Sequence, residues 1–260
     1  METKEGFSME RKNADNINDK WFDGMAFQES SNDPEFTEIA ASFLCGDILG
    51  TKGALGDKQR ALLILASLTA SQTLNSLYQY TQAALKVGAT GEEIKEVAYQ
   101  TAPYIGLEKV QSALDEINFA LGDAGIDQTA PQTQADEDAR FPVGLKVQQT
   151  IFGEDNINTM RAGAPKDLKR FQDYLSAYCF GDFYTRGALD IKMRELVTFT
   201  ALISMGGVMP QIRAHIQGCL SVGNTRAELI DTIYVTLPFN GFPRSLNALA
   251  AVNEIAPPEE

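Results

Sequence analysis

KVGATGEEIKEVAYQTAPYIGLEKVQSAL (residues 86–114) lies over SVGNTRAELIDTIYVTLPFNGFPRSLNAL (221–249) at an offset of 135, which is 221 less 86. Gly88, Thr90, Glu93, Tyr99, Pro103 and Gly106 meet Gly223, Thr225, Glu228, Tyr234, Pro238 and Gly241. Both copies carry Thr-x-x-Glu, the capping-box pattern in which the hydroxyl accepts from an early orphan amide and the carboxylate reaches back. Gly88 and Gly223 stand just before, where a preceding helix takes a left-handed residue. The stretch therefore predicts helix after helix, written twice.

The repeat extends upstream. Gly46-Asp47 matches Gly181-Asp182, and TKGALGDKQRALL (51–63) parallels TRGALDIKMRELV (185–197) after a one-residue slip. Asp57 and Asp190 are candidate N-caps for the helices that follow. LVTFTALISM (196–205) is apolar nearly all round, which predicts a central buried helix. Between the copies, GDAGIDQTAPQTQADEDARFP (122–142) is polar, acidic and without apolar period. The expected architecture is all-α with no strands: an extension over 1–35, a first unit over 36–121, a linker over 122–142, and a second unit over 143–256.

Composition narrows the function. A net charge of −13 opposes nucleic acid and anionic membranes as partners and leaves room for a small anionic molecule if the site brings its own arginine. The start, METKEGFSMERKNADN, has no apolar signal core, and no run is long enough to span a bilayer, so a cytoplasmic protein is expected. The three cysteines, Cys45, Cys179 and Cys219, form no Cys-x-x-Cys, and one histidine cannot build a His-rich metal site. No metal and no cofactor are expected.

That histidine, His215, shares a helical stripe with Ile212, Ile216 and Cys219 behind Gly206-Gly207 and Pro210. The first copy has Tyr80 there. Glu195 likewise stands where the first copy has Ala61. Both ionisable groups are present together in one copy and absent together from the other. A carboxylate in an apolar helix needs a partner, and an imidazole from the next helix would make a Glu–His pair suited to moving protons. Two plainer readings stand beside this one: a hydrogen-bonded core histidine, and a Glu195 paired with an arginine.

GDFYTRGALDIKMRELVTFTALISMGG (181–207), RAHIQGCLSVGNTRAELID (213–231) and GFPRSLNAL (241–249) together resemble the carboxymuconolactone decarboxylase family, with the weaker copy over 36–114. The resemblance implies two tandem alkylhydroperoxidase D-like units and a homo-oligomer, a trimer of tandem chains being favoured. It also implies one of two activities. Thiol peroxidases of that fold carry cysteines seven and four residues before the helix histidine; here those places hold Val208 and Gln211, and in the first copy Thr73 and Ser76. The other activity is cofactor-free decarboxylation of a carboxylated lactone, which needs a general acid and a group to hold the anion. On that pattern His215 is the proton donor and Glu195 orients it, while Arg186, Gln211 and Cys179 are candidates to touch substrate. Arg186 has a structural alternative in a tie to Asp182. Arg213 is two residues from His215, about 160° away at roughly 100° per residue, and reads as a surface arginine. The expected function is thus a carboxy-lyase acting on a small carboxylated lactone or keto acid. A non-catalytic assembly protein of the same fold is the alternative from another class, and a thiol peroxidase is the third.

Overall fold

A computed structural model describes residues 11–26, 32–128 and 136–258, of which 11–13 are described in backbone only. Among these there are twelve α-helices and no strand. The first copy runs α1 (Arg11–Phe22), α2 (Pro34–Ala41), α3 (Asp57–Ser71), α4 (Leu77–Lys86), α5 (Gly91–Ile105) and α6 (Leu107–Asp123). The second runs α7 (Arg140–Phe152), α8 (Glu154–Gly163), α9 (Lys169–Tyr174), α10 (Ile191–Met205), α11 (Met209–Ser221) and α12 (Arg226–Ile255). Helix α2 continues into a π-helical segment, Ser42–Leu49, and α9 into another, Leu175–Phe183.

The two capping boxes form as written. Thr90 Oγ1 accepts from Glu93 N, and Thr225 Oγ1 accepts from Glu228 N. Gly88 and Gly223 have φ of 93° and 94°, the left-handed turn that closes the preceding helix. Asp190 caps α10, its Oδ1 accepting from Met193 N at 2.8 Å. Asp57 does not do the same for α3. Gly56 is the cap residue, its N–H donating to Gln59 Oε1, and Asp57 is the first helical residue, where its charge suits the helix dipole. Gly106 and Gly241 occupy the same place: the first separates α5 from α6, and the second breaks α12 with a φ of 71°.

The two copies are not separate bodies. Helices α3 and α10 pack on each other at the centre, α5 of the first copy packs on α10, and α12 of the second packs on α3. One continuous core holds side chains from both copies, among them Leu62, Leu65, Leu77, Ile94, Phe199 and Ile216. Residues 193–204 of α10 are all buried, as the apolar run predicts; each fully buried Leu, Ile, Val or Phe contributes about 1.5–3 kcal/mol. The stretch expected as an extension contains α1, whose Trp21 and Phe22 enter this core. Helix α6 reaches Asp123 and α7 begins at Arg140, so both margins of the expected linker are helical.

Helix α7 crosses the second π-helical segment backbone to backbone. A β-carbon at Gly144 would collide with the Ser176 carbonyl, and one at Gly181 with the Arg140 carbonyl. Tyr184, the residue that follows the π-helical turn, is buried beside Ile151, Cys179 and Phe180. No helix among the described residues is long and apolar enough to cross a membrane.

Candidate functional site

Helix α10 enters from its Asp190 cap and carries Glu195 in its second turn, fully buried. Gly206 and Gly207, with φ of 70° and 74°, end α10 and turn the chain back. Pro210 then opens α11 without losing a needed donor. This return brings His215 alongside Glu195: Nδ1 lies 2.9 Å from Oε2. The imidazole is nearly buried, its side chain 9% exposed. Two rings clamp it edge to face, Phe152 from α7 at 5.3 Å and Tyr104 from α5 at 5.5 Å between centroids. Nε2 has no hydrogen-bond partner among the described residues and is not sealed from solvent, so it is the free edge of the ring.

Glu195 is held from its other side by Tyr184, whose hydroxyl donates to Oε1 at 2.6 Å. From there a chain of contacts runs back through the molecule. Tyr184 Oη is 3.1 Å from Thr198 Oγ1, which accepts from Gln100 Nε2 at 3.2 Å. Gln100 Oε1 accepts from Arg194 Nη1 at 2.9 Å. The donor inventory fixes every direction in this chain. A guanidinium only donates and a carboxylate only accepts, so Thr198 must donate to Tyr184, and Tyr184 to Glu195. Tyr104 Oη, 3.0 Å from Tyr184 Oη, must also donate to it. Five polar groups therefore point one way, toward the carboxylate that faces His215. Such chains reinforce each other in a low-dielectric interior.

Burial, then the nearby carboxylate of Glu195, drives the Tyr184 phenol well above its ordinary range. Tyr104 is raised by burial first, then by Cys179 and Glu195. Both phenols are thereby kept as neutral donors. Burial pulls the Arg194 guanidinium down, and the neighbouring Glu96 opposes this. Glu96, on α5, is fully buried and takes Arg194 Nη2 at 3.0 Å and Arg186 Nε at 2.8 Å.

The structure brings His215 and Glu195 together at 2.9 Å and gives the other candidates the following surroundings. Arg186 is bound to Glu96, with its guanidinium 4.6 Å over the Tyr99 ring. Its expected structural partner, Asp182, pairs with Arg140 instead. Gln211 is exposed, one turn before His215 on α11. Cys179 is buried, its thiol directed at Tyr104 Oη 3.6 Å away and pushed up to about 12 by burial. Cys219, one turn beyond His215, is also driven up by burial. Arg213 sits at the surface on Glu254. A groove of about 510 Å³ lies along Pro142, Val147 and Ile191, and a cavity of about 290 Å³ lies between Lys58 and Asn224; neither takes in His215. No cluster of three or more potential metal ligands occurs among the described residues.

Tyr184, Thr198, Gln100, Tyr104 and Phe152 were not singled out from the sequence. Three of them carried a signal there: Thr198, Gln100 and Tyr104 are polar where the other copy has Ile64, Val235 and Phe239.

The family model described as "Carboxymuconolactone decarboxylase family" matches residues 34–118 and 169–254. The chain is 27% identical over 119 residues to 4-carboxymuconolactone decarboxylase of Acinetobacter baylyi, covering 46% of this chain and 88% of that protein. It is 22% identical over 109 residues to nitrosuccinic acid decarboxylase of Metarhizium robertsii, covering 42% and 76%. A 15.0 kDa protein of Paracoccus denitrificans is 32% identical over 82 residues, covering 31% and 61%. These relatives align with less than half of a chain whose helical frame occurs twice, and the family model matches each occurrence. The chain belongs to the carboxymuconolactone decarboxylase family.

Proposed function

We propose that the chain is a carboxy-lyase that removes CO₂ from a small carboxylated lactone or keto acid without an added cofactor, and that His215 delivers the replacing proton. The observation that carries this reading is the bonding of one ring: Nδ1 faces Glu195 and Nε2 is left free. When the C–C bond to the carboxylate breaks, its electron pair stays on carbon, delocalised into an adjacent carbonyl. The imidazolium Nε2–H gives its proton to that carbon. The ring becomes neutral and keeps its Nδ1–H on Glu195, so charge is lost without the ring turning. Glu195 steadies the imidazolium and fixes its tautomer, and Tyr184 fixes Glu195. The names of two relatives, both decarboxylases of small acids, support the same class.

The test is CO₂ release from a panel of lactone and keto acids by the wild-type chain and by His215→Gln. Turnover should vanish in the variant while its mass and melting temperature are kept. Full activity in the variant would sink the proposal.

The non-catalytic reading is favoured by the first copy, where Tyr80 and Ala61 stand in for the pair. Its discriminator is the single imidazole NMR signal, which should respond to an acid from the panel if the site binds one. Thiol peroxidation is opposed by chemistry: all three thiols are buried and raised, Cys45 to about 11 and Cys179 to about 12, with Cys219 also raised.

A homo-oligomer, with a trimer of tandem chains favoured, is part of this reading. Phe36 and Phe171 occupy corresponding places on α2 and α9 and are 67% and 68% exposed, with Ile39 and Tyr174 exposed beside them. Paired apolar patches of this kind are surfaces for association.

A further inference from the structure

Because the helical frame occurs twice in one chain, each copy serves as a control for the other. Some features are kept in both. Arg194 is bound to the buried Glu96 of the opposite copy, and Arg60 to the buried Asp231 of the opposite copy at 2.8 Å. The edge-to-face clamp is kept too: Phe152 and Tyr104 hold His215, and Phe22 and Phe239 hold Tyr80 at 5.4 and 5.3 Å. What differs is the polar chain between these features. Thr198 becomes Ile64, Gln100 becomes Val235, Tyr104 becomes Phe239 and Glu195 becomes Ala61. The first copy packs a closed core with apolar residues at all four places.

The fold therefore does not need hydroxyls or amides there. Burying them carries a desolvation cost that the apolar versions avoid. Their own hydrogen bonds offset that cost, and those bonds lead to the Tyr184 that holds Glu195.

We propose that Gln100 and Tyr104, both on α5 of the first copy, are positioning residues for the Glu195–His215 pair in the second, so that one site is built by both halves of the chain. Gln100 relays the Arg194 guanidinium to Thr198, and Tyr104 donates to Tyr184. Both contacts strengthen Tyr184 as the donor that fixes Glu195. The catalytic meaning of this rests on the decarboxylase reading; the structural claim does not.

The test uses the full chain with Tyr104→Phe and Gln100→Val, each the residue already accepted at the corresponding place in the other copy. Two readouts are taken. With the acid that wild type turns over, kcat should fall about tenfold in Tyr104→Phe with KM within about twofold, the pattern of a lost orienting partner. Independently of any substrate, the Nδ1–H proton of the single histidine should move downfield in both variants, because a Glu195 that receives less from Tyr184 accepts more from His215. Tyr80→Phe, the control in the first copy, should change neither readout.

An unmoved Nδ1–H signal in both variants overturns the proposal, whatever happens to turnover. A moved signal in a chain that decarboxylates none of the panel supports the proposal and overturns the function instead. If Gln100→Val fails to fold, Tyr104→Phe alone decides.

Discussion

A β-carbon at Gly218 would stand 2.5 Å from Glu195 Oε2, 3.0 Å from Ile151 Cγ2 and 3.3 Å from Phe152 Cε1. Gly218 lies one turn beyond His215 on α11, so the helix that carries the imidazole also leaves the hollow for its carboxylate. In the first copy the glycine is Ala83 and the carboxylate is Ala61. Both alanines are buried.

Gly218→Ala should therefore displace Glu195 and cost about 1–3 kcal/mol, the usual penalty of overpacking. Turnover should drop with it. Combining it with Glu195→Ala should recover much of the lost stability and none of the activity, as the Ala61/Ala83 arrangement implies. Chemical denaturation of both single variants and the double variant gives the coupling; additive losses would contradict the steric account.

The two buried arginine–carboxylate pairs should separate stability from chemistry. Glu96→Ala leaves Arg194 and Arg186 without their carboxylate, and Asp231→Ala leaves Arg60 without its own. Each should cost about 3–5 kcal/mol, since breaking a buried pair strands a charge. Assayed at a temperature where both stay folded, only Glu96→Ala should also lose turnover, because Arg194 anchors the chain of donors that ends on Glu195. Equal activity losses would mean that both pairs act through stability alone.

The thiols and phenols predict the response to alkali. Cys45 and Cys179 are raised from 9.0 to about 11 and about 12, and Tyr104 and Tyr184 are raised from 10.0, all chiefly by burial. The unfolded chain gives up these protons first and the folded chain keeps them. The native state then binds more protons, so stability is full below pH 9 and falls as pH rises from about 9 toward 12. Melting temperature measured across that range should decline. At pH 8 a disulfide-exchange reagent should label none of the three cysteines quickly without denaturant; rapid labelling of Cys179 would reopen the peroxidase reading.

The exposed pair on α2 and α9 bears on assembly. Phe36→Ser and Phe171→Ser should each lower the mass seen by light scattering during gel filtration, with the helical content unchanged. A wild-type mass equal to one chain would end the oligomer reading.

Helix ends, the all-α class and the duplication were readable from the chain itself, and there His215 stood as one candidate partner for Glu195 beside an arginine. The reason is locality: a capping box is closed by residues three apart, and the Gly206-Gly207 turn joins α10 to α11 within a few residues. Asp57 marks the limit of that locality, since Gly56 and Gln59 competed successfully for the cap. The remainder of the site depended on how the halves interlock. Gln100 and Tyr104 are 95 and 91 residues from Glu195 (195 less 100, and 195 less 104), on a helix whose own pattern reads as core. They meet the site only because α5 packs on α10 of the other copy and buries that face where water cannot serve as the partner. Sequence determined which residues could ionise and which helices would carry them; packing between the copies decided which hydroxyls and amides would be left facing one carboxylate.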